Sequence, residues 1–357
     1  ILRTAGATAR QLMINTAAKQ WAVDASTLTT ENGIVLNGSS KMTYAELASL
    51  AVMTEIPEEV ELKNPKDFKI IGHSKGNVDL DGIITGKPLF GIDYRREGMV
   101  YASALRPPAF GTKLKSFDDT ETRKVNGVSD VFQFGDKIAV IANSNWAAMK
   151  GQKALKAEWQ KDTKLENTNE HDLTMLKMLD TSTKAPRRND GDVSKAFASA
   201  DKVIEKVYEA PFLPHNTLEP MNFFAHVTEE KVEMVGPIQT PAGTHGQIAR
   251  LLKRKPEDIT MDMTRMGGGF GRRLYGDFAR EVAEISDKIR KPVLLIFSRE
   301  DDMTAGTYRP ASKYKFRAAI KDGKLTGYHL TGAGANQRSV TRENWFPAGG
   351  IENYKVE

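Results

Sequence analysis

The amino-acid sequence predicts an α+β protein with mixed α/β parts, divided into more than one domain. The chain has 357 residues, which exceeds one ordinary domain and suffices for two or three hydrophobic cores. Segments with the helical spacing of apolar residues alternate along the chain with shorter segments that have the alternation of strands. Turn residues separate several of them, and we find no internal repeat.

The first predicted segment covers residues 1–60 and consists of a helix, a short strand pair and a second helix. Apolar residues recur every four positions in the first helix, at Ala5, Ala9, Met13, Ala17 and Trp21. The strand pair lies around Thr27–Leu36, with turns at Asn32-Gly33 and Asn37-Gly38. Thr43 and Glu46 have the spacing of a capping box, which predicts a helix start. Because the first helix begins without a cap or a methionine, we expect the chain to be a piece of a longer polypeptide.

Residues 61–85 are predicted to form a connection, rich in Pro, Lys, Asp and Gly around one strand at Phe68–Ile71. Residues 86–160 have the pattern of a compact α/β domain. Its predicted elements are strands at Met99–Leu105 and Ala139–Ala142, a turn at Val125–Val128 and a helix at Trp146–Trp159.

Residues 161–192 are polar and charged around one short helix at Leu173–Leu179, which predicts an exposed linker. Residues 193–357 again alternate helices and strands. The predicted strands are Val203–Tyr208, Phe223–Val227, Ile259–Met263 and Val293–Phe297, and the predicted helices are Gly246–Lys253 and Tyr275–Ile289.

Four glycines surround one phenylalanine in Thr264-Arg-Met-Gly-Gly-Gly-Phe-Gly-Arg-Arg273, between a predicted strand and a predicted helix. Glycine has no Cβ and tolerates positive φ, so this loop can present bare amides to a ligand. It fails the dinucleotide fingerprint, whose last glycine would fall on Arg272 or Leu274, and it lacks the Lys-Ser or Lys-Thr of a Walker loop. A strand, a glycine loop and a helix start favour a phosphate or an oxyanion; the alternative is a tight turn with close packing.

Composition and charge exclude several classes of function. The 51 basic and 46 acidic residues give a net charge of +5 that is spread along the chain, which argues against a nucleic-acid partner. No apolar run approaches the length that spans a bilayer, and no signal peptide is visible. The absence of cysteine excludes disulfides, thiolate zinc sites and iron–sulfur ligation within these residues.

Three other motifs could carry chemistry. Gly72-His-Ser-Lys-Gly76 matches a nucleophile elbow, but turn residues follow it where a helix is needed, so a surface turn is favoured. His215 and Glu219 have a spacing that suits two zinc ligands on a helix, but the prolines around them favour a polar pair that braces a loop. Arg299-Glu-Asp-Asp302 predicts a solvated strand exit or a salt-bridge network with Arg309.

Several short motifs, taken in order, resemble those of one family. They are Leu218-Glu-Pro220, Gln239-Thr-Pro241, Met266-Gly-Gly-Gly-Phe-Gly-Arg-Arg273, Asp277, Pro292-Val293, Arg299-Glu-Asp-Asp-Met303 and Tyr308-Arg-Pro310. The chain resembles the large, molybdopterin-binding subunit of the xanthine dehydrogenase/aldehyde oxidase family, most closely the isoquinoline 1-oxidoreductase beta-subunit type. The resemblance covers nearly the whole chain. It implies a hammerhead-type α/β domain at residues 86–160 and the N-terminal part of a molybdopterin-binding domain at 193–357, while residues 1–60 would belong to a cofactor-binding domain completed elsewhere.

Carried over residue by residue, the resemblance implies that Phe270 and Gly271 lie against the molybdenum end of the pterin cofactor. The other implied cofactor-binding residues are Gln239, Gly268, Gly269 and Arg272. Glu219 would be a structural brace beneath the site. No catalytic residue and no metal ligand is implied within the chain, because the family's general-base glutamate would lie beyond Glu357, so the isolated chain should be inactive. Leu274 stands where a purine-binding carboxylate would be, so purine hydroxylation is not expected. As a further departure from the family, Leu213 lies in the region where a glutamine donor is usual.

The implied function is that of a molybdenum hydroxylase subunit, which oxidises an aldehyde or an N-heterocycle with oxygen derived from water. The implied cofactor is molybdopterin cytosine dinucleotide. The implied partners are a small iron–sulfur subunit, a cytochrome c as electron acceptor and a small-molecule substrate. A periplasmic location is expected, with a cytoplasmic one as the alternative. A cofactor-free scaffold or binding homologue of the same fold is the alternative function, and the failed fingerprint argues against a nicotinamide-dependent dehydrogenase.

Overall fold

The structure is a computed structural model that describes residues 1–161, 165–181, 185–335 and 340–357. It divides into two compact units, Ile1–Ile84 and Thr85–Glu357, and both contain helices and sheets. The predicted mixed α/β fold class is therefore confirmed. Within the described ranges, no helix is long and apolar enough to cross a membrane.

The first unit packs two helices on a small antiparallel sheet. Its elements are α1 (Leu2–Trp21), β1 (Thr29–Glu31), β2 (Ile34–Asn37), β3 (Ser40–Thr43), α2 (Tyr44–Ala51) and the short α3 (Leu80–Ile84). The predicted capping box is present, because the Thr43 amide donates to the Glu46 carboxylate at 2.7 Å and Thr43 Oγ1 accepts from the Glu46 amide at 3.2 Å. Both predicted turns are also present, with positive φ at Asn32, Gly33 and Gly38.

The predicted strand at Phe68–Ile71 is wrong. A 3₁₀ turn at Pro65–Asp67 leads into bends there, and Ile70 and Ile71 are exposed. A short apolar run becomes a strand only when a neighbouring strand accepts its hydrogen bonds, and no described strand pairs with this one. The Phe68 ring lies instead beneath the Arg3 guanidinium, 5.2 Å from it.

The second unit contains the remaining elements. Its strands are β4 (Val100–Leu105), β5 (Thr112–Asp118), β6 (Val128–Phe134), β7 (Lys137–Ala142), β8 (Lys156–Lys161), β9 (Arg188–Asp190), β10 (Lys202–Ala210), β11 (Asn222–Val227), β12 (Val232–Gly236), β13 (Ile259–Met263), β14 (Val293–Ile296), β15 (Ser312–Lys321), β16 (Lys324–Gly334) and β17 (Asn353–Val356). Its helices are α4 (Thr120–Arg123), α5 (Asn145–Ala154), α6 (Thr168–Asp180), α7 (Val193–Ala198), α8 (Pro241–Leu252), α9 (Asp277–Ile289) and α10 (Arg299–Thr304).

A seven-stranded mixed sheet forms the centre of this unit, in the order β13-β12-β11-β14-β4-β7-β6. The pairs β12–β13 and β14–β4 are parallel, and the other pairs are antiparallel. Helix α9 packs on β11 through Phe278 and Phe223, both fully buried. The sheet draws strands from residues 86–160 and from 193–357, so these two predicted domains share one sheet. The predicted boundaries themselves stay a prediction.

The predicted helix at Trp146–Trp159 is too long. Helix α5 ends at Ala154, and Lys156-Ala-Glu-Trp-Gln-Lys161 forms β8, which pairs antiparallel with β5. Ala157 and Trp159 are half-buried while their neighbours are exposed. This alternation has the period of a strand, and the pairing with β5 decides between strand and helix.

A five-stranded sheet forms the second layer, in the order β10-β15-β16-β17-β9. Helix α6 buries Met175 and Leu179 against this sheet. The part of 161–192 that forms α6 and β9 is therefore not an exposed linker, because the helix contributes to a core and β9 pairs with β17. Residues 162–164 and 182–184 of the predicted linker lie outside the described residues.

Candidate cofactor site at the glycine loop

The glycine loop follows β13 and precedes α9, at the end of the seven-stranded sheet. Its backbone has positive φ at Gly268 (101°), Phe270 (51°) and Gly271 (95°). Phe270 has a Cβ, so this conformation is strained for it, and strain of this kind concentrates at ligand sites. The Phe270 side chain is 64% exposed, which is unusual for a phenylalanine beside a buried core.

The three consecutive amides of Gly268, Gly269 and Phe270 have no hydrogen-bond partner among the described residues. The amides of the two flanking glycines are used within the chain. Gly267 donates to Glu219 Oε2 at 2.7 Å, and Gly271 donates to Gln239 Oε1 at 3.1 Å. The loop therefore presents adjacent free donors, as an anion site requires.

Gln239 lies directly against the loop, as the resemblance implied. Its amide donates to the Arg273 carbonyl at 3.1 Å, which fixes its backbone. A Cβ at Gly269 would lie 2.7 Å from Gln239 Oε1, so only glycine leaves room for this side chain. Because Oε1 accepts from Gly271, the side-chain NH₂ group is left to donate, and no described residue accepts from it.

Glu219 fastens the loop from beneath. Its carboxylate accepts hydrogen bonds from the amides of Ile92 at 3.0 Å and Gly267 at 2.7 Å and from Asn222 Nδ2 at 2.9 Å. It also forms a buried ion pair with Arg273 at 3.3 Å. These contacts join three separate segments of chain at one side chain. Glu219 is thus the brace that the resemblance implied, and its charged partner is Arg273 rather than His215.

The His215–Glu219 zinc site is not formed. The two residues lie on an irregular segment between prolines and not on a helix. The described residues contain no cluster of His, Asp and Glu that could hold a metal ion. The His215 ring lies beside Gly271, with Nε2 3.7 Å from where a Cβ of that glycine would be. Burial, together with the charges of Arg309 and Arg272, lowers the pKa of His215, so its ring is neutral at pH 7.

The Arg272 side chain is too deeply buried to contact a cofactor directly, which corrects its assignment as a cofactor-binding side chain. It is 1% exposed, and its guanidinium donates to both oxygens of Asp277, at 2.6 and 2.8 Å. A Cβ at Gly306 would lie 2.3 Å from Arg272 Nη2, so the pocket around the guanidinium is full. Burial alone would raise the pKa of Asp277, but the bonds and charge of Arg272 hold it below its ordinary value.

Arg273 is also fully buried, and it holds the loop backbone. Its Nε donates to the Gly268 carbonyl at 2.8 Å and its Nη2 to the Glu219 carbonyl at 2.8 Å. Burial lowers the pKa of Arg273 to about 10, although the Glu219 charge opposes this shift. Both arginines of the motif therefore act as structural supports that fix where the free amides point.

The charge run at residues 299–302 begins helix α10 and is not a solvated strand exit. Ser298 caps the helix through a capping box with Asp301. Arg299 pairs with Asp302 at 3.2 Å and also donates to Asn216 Oδ1 at 2.9 Å. Arg309 does not join this network, because its guanidinium donates to the Phe270 carbonyl at 2.7 Å.

Sequence reasoning missed one buried ion pair, between Arg106 after β4 and Glu281 on α9, at 2.5 Å. The Arg106 guanidinium also lies 3.6 Å from the centre of the Phe297 ring. Burial alone would lower the pKa of Arg106, but the charge of Glu281 holds it above its ordinary value. The available signal was the place of Glu281 on the apolar face of α9, beside the buried Val282 and Ile285.

The surface-turn interpretation of Gly72–Gly76 agrees with the structure. Ser74 lies in an irregular segment, and the next helix begins only at Leu80. His73 Nε2 is hydrogen-bonded to the Phe68 carbonyl at 2.8 Å. A nucleophile elbow needs a helix directly after its serine, so this motif carries no such site.

Comparison with known proteins agrees with this fold. Residues 179–339 match the model of the molybdopterin cofactor-binding domain. The chain is 29% identical to a membrane-bound aldehyde dehydrogenase [pyrroloquinoline-quinone] of Gluconacetobacter polyoxogenes, over 90% of this chain and 44% of the relative. It is 27% identical to isoquinoline 1-oxidoreductase subunit beta of Brevundimonas diminuta, over 97% of this chain and 49% of the relative. The chain thus spans about half the length of these curated relatives.

Solved structures share the fold at lower identity. Aldehyde oxidoreductase from Desulfovibrio desulfuricans superposes with a TM-score of 0.60 at 18% identity, over 81% of this chain and 37% of that chain. Quinoline 2-oxidoreductase from Pseudomonas putida 86 gives a TM-score of 0.59 at 16% identity, over 73% of this chain and 39% of that chain. The fold is that of molybdenum hydroxylase large subunits. The chain carries a molybdopterin cofactor-binding domain and is similar to large subunits of the xanthine dehydrogenase/aldehyde oxidase family.

Proposed function

We propose that the whole protein is a molybdenum hydroxylase, which oxidises an aldehyde or an N-heterocycle with oxygen taken from water. The observation that carries this proposal is the row of free amides at Gly268, Gly269 and Phe270, within the residues that match the molybdopterin cofactor-binding domain. Relatives named isoquinoline 1-oxidoreductase, nicotinate dehydrogenase and aldehyde dehydrogenase support both substrate classes.

The loop residues fit an anionic, sulfur- and oxygen-bearing cofactor. Such a group needs hydrogen-bond donors, and the three free amides and the NH₂ group of Gln239 can supply them. Arg273 and Glu219 hold these donors in place before any ligand binds. When bound, the molybdenum cofactor supplies the two-electron oxidation, and this chain supplies position and electrostatics. We propose the cytosine dinucleotide form of the cofactor.

We also propose partner subunits and a cellular compartment for the whole protein. Because these 357 residues contain no cysteine, iron–sulfur clusters that carry electrons onward would lie outside them, and we propose that a separate small subunit holds them. Relatives named as subunits of larger enzymes support this arrangement. We propose a cytochrome c as a further electron acceptor and a periplasmic location for the assembled enzyme.

The source of the inserted oxygen tests this function. The full-length protein, purified with its partner subunit, is incubated with isoquinoline and an artificial electron acceptor in ¹⁸O-labelled water under unlabelled air. The account predicts an oxidised product that carries ¹⁸O, detected by mass spectrometry. A product with unlabelled oxygen, or no product from isoquinoline or from a panel of aldehydes and other N-heterocycles, would contradict the proposal.

A further inference from the structure

An open pocket of about 340 Å³ lies between helices α5 and α10. Apolar side chains line much of it, among them Ile92, Pro220, Ile296 and Phe297. Trp146 of α5 lies at the same pocket and is 76% exposed. Exposed apolar surface of this kind, next to a large aromatic ring, is typical of a binding site. The pocket and Trp146 thus form an apolar surface that no described part of the chain covers.

The residues around this pocket carry more positive than negative charge. Lys150 and Lys153 of α5 are both exposed, and neither is ion-paired in the described part of the chain. Arg299 also lines the pocket, but it is paired with Asp302. Glu300 provides the single carboxylate among the described residues that line the pocket. A partner with several carboxylates around an apolar side chain would complement this surface.

The pocket adjoins the support of the glycine loop. Pro220 directly follows Glu219, and the Ile92 amide donates to the Glu219 carboxylate at 3.0 Å. Arg299 donates to the Leu218 carbonyl at 2.9 Å, and the Leu218 side chain is 89% exposed. A partner bound here would lie close to a cofactor held at the loop. Electron transfer between two proteins slows steeply with distance, so this surface suits an electron acceptor.

The exposed side chains indicate what kind of partner binds. Trp146 and Leu218 are both largely exposed, and a small molecule inside the pocket would leave much of their surface in water. A protein would cover both, and tryptophan is enriched among the residues that contribute most to protein–protein binding. In a symmetric pair of this chain Lys150 and Lys153 would face their own copies, and like charges oppose such a contact. A second, acidic protein is therefore favoured.

We propose that the pocket between α5 and α10, together with Trp146, Lys150, Lys153 and Leu218, is the docking surface for the small iron–sulfur subunit. The partner places an apolar side chain in the pocket and carboxylates against the two lysines. This inference rests on the proposed function, because that function requires a partner that accepts electrons.

Retention of the small subunit by surface variants tests the inference. The complex is purified through a tag on the full-length large subunit, and mass photometry over a dilution series gives the dissociation constant. Trp146→Ala should weaken binding at least about tenfold, because it removes the aromatic contact. Lys150→Glu/Lys153→Glu should weaken binding by a similar factor, and added salt should then lower the affinity less than it does in the wild type.

Matched controls change similar residues elsewhere on the surface. Leu173→Ala removes an exposed apolar side chain from α6. Lys321→Glu/Lys324→Glu reverses two exposed lysines that flank the turn between β15 and β16. Both controls should retain the small subunit as the wild type does. Circular dichroism of every variant checks that it is folded.

The outcomes separate the docking surface from the proposed function. Wild-type affinity in both surface variants overturns the docking surface, and the proposed function stands if the complex still contains molybdenum. If Trp146→Ala abolishes self-association and leaves the small subunit bound, the surface joins two copies and the inference is also overturned. If the complex contains no molybdenum but Trp146→Ala still releases the small subunit, the proposed function fails and the docking surface stands.

Discussion

Replacing Glu219 by alanine is expected to destabilise the protein by about 3–5 kcal/mol, because the change leaves the buried Arg273 charge without its partner. The amides of Ile92 and Gly267 lose their acceptor at the same time. Urea unfolding of the 357-residue chain, followed by circular dichroism, measures this loss of unfolding free energy.

The control for Glu219 is the exposed Glu230, whose change to alanine should alter stability by no more than about 0.5 kcal/mol. The double variant Glu219→Ala/Arg273→Met should recover part of the loss, since it removes the unpaired charge. If Glu219→Ala unfolds at the same urea concentration as the wild type, the carboxylate is not the brace of the loop.

Replacing Arg106 by methionine is the second change with a large expected effect, a loss of about 3–5 kcal/mol of unfolding free energy. Among the described residues, it leaves the buried Glu281 with Lys137 alone, at 3.4 Å, to balance its charge. It also removes the guanidinium from the Phe297 ring. The pair connects the end of β4 to α9, so its loss weakens the contact between the two halves of the seven-stranded sheet.

A double variant separates the effect of the unpaired Glu281 charge from the effect of lost packing. Arg106→Met/Glu281→Leu exchanges the ion pair for apolar side chains of similar size, and we expect its stability to return to near that of the wild type. The same unfolding assay measures both variants. Should the double variant be no more stable than Arg106→Met alone, lost packing rather than the buried charge of Glu281 explains the effect.

The glycine loop could be predicted from sequence because its signal is local. The cluster at Gly267–Gly271 lies between a strand pattern and a helix pattern, and both elements form where predicted. The approach of Gln239 was implied only by family resemblance, since 29 residues separate Gln239 from Gly268. A contact over such a distance depends on how the chain folds back, which no local pattern specifies.

The roles of the charged residues could not be predicted, because they depend on burial. Arg272 and Arg309 both belong to the sequence motifs around the loop. Arg272 is buried and donates to Asp277, whereas Arg309 is exposed and donates to the Phe270 carbonyl. The β5–β8 pair illustrates the same problem for the backbone, because it joins Thr112 to Lys161. Alternation in β8 was visible, but the partner that makes it a strand was not.

The most direct test of the central claim is the metal and pterin content of the full-length protein, purified with its partner from a host that makes the molybdenum cofactor. We expect molybdenum and pterin in the wild type and in Gly243→Ala, where a Cβ meets nothing within 4 Å. We expect loss of both in Gly269→Val, whose side chain would displace Gln239. A wild-type protein without molybdenum, or one that contains pyrroloquinoline quinone in its place, would contradict the account.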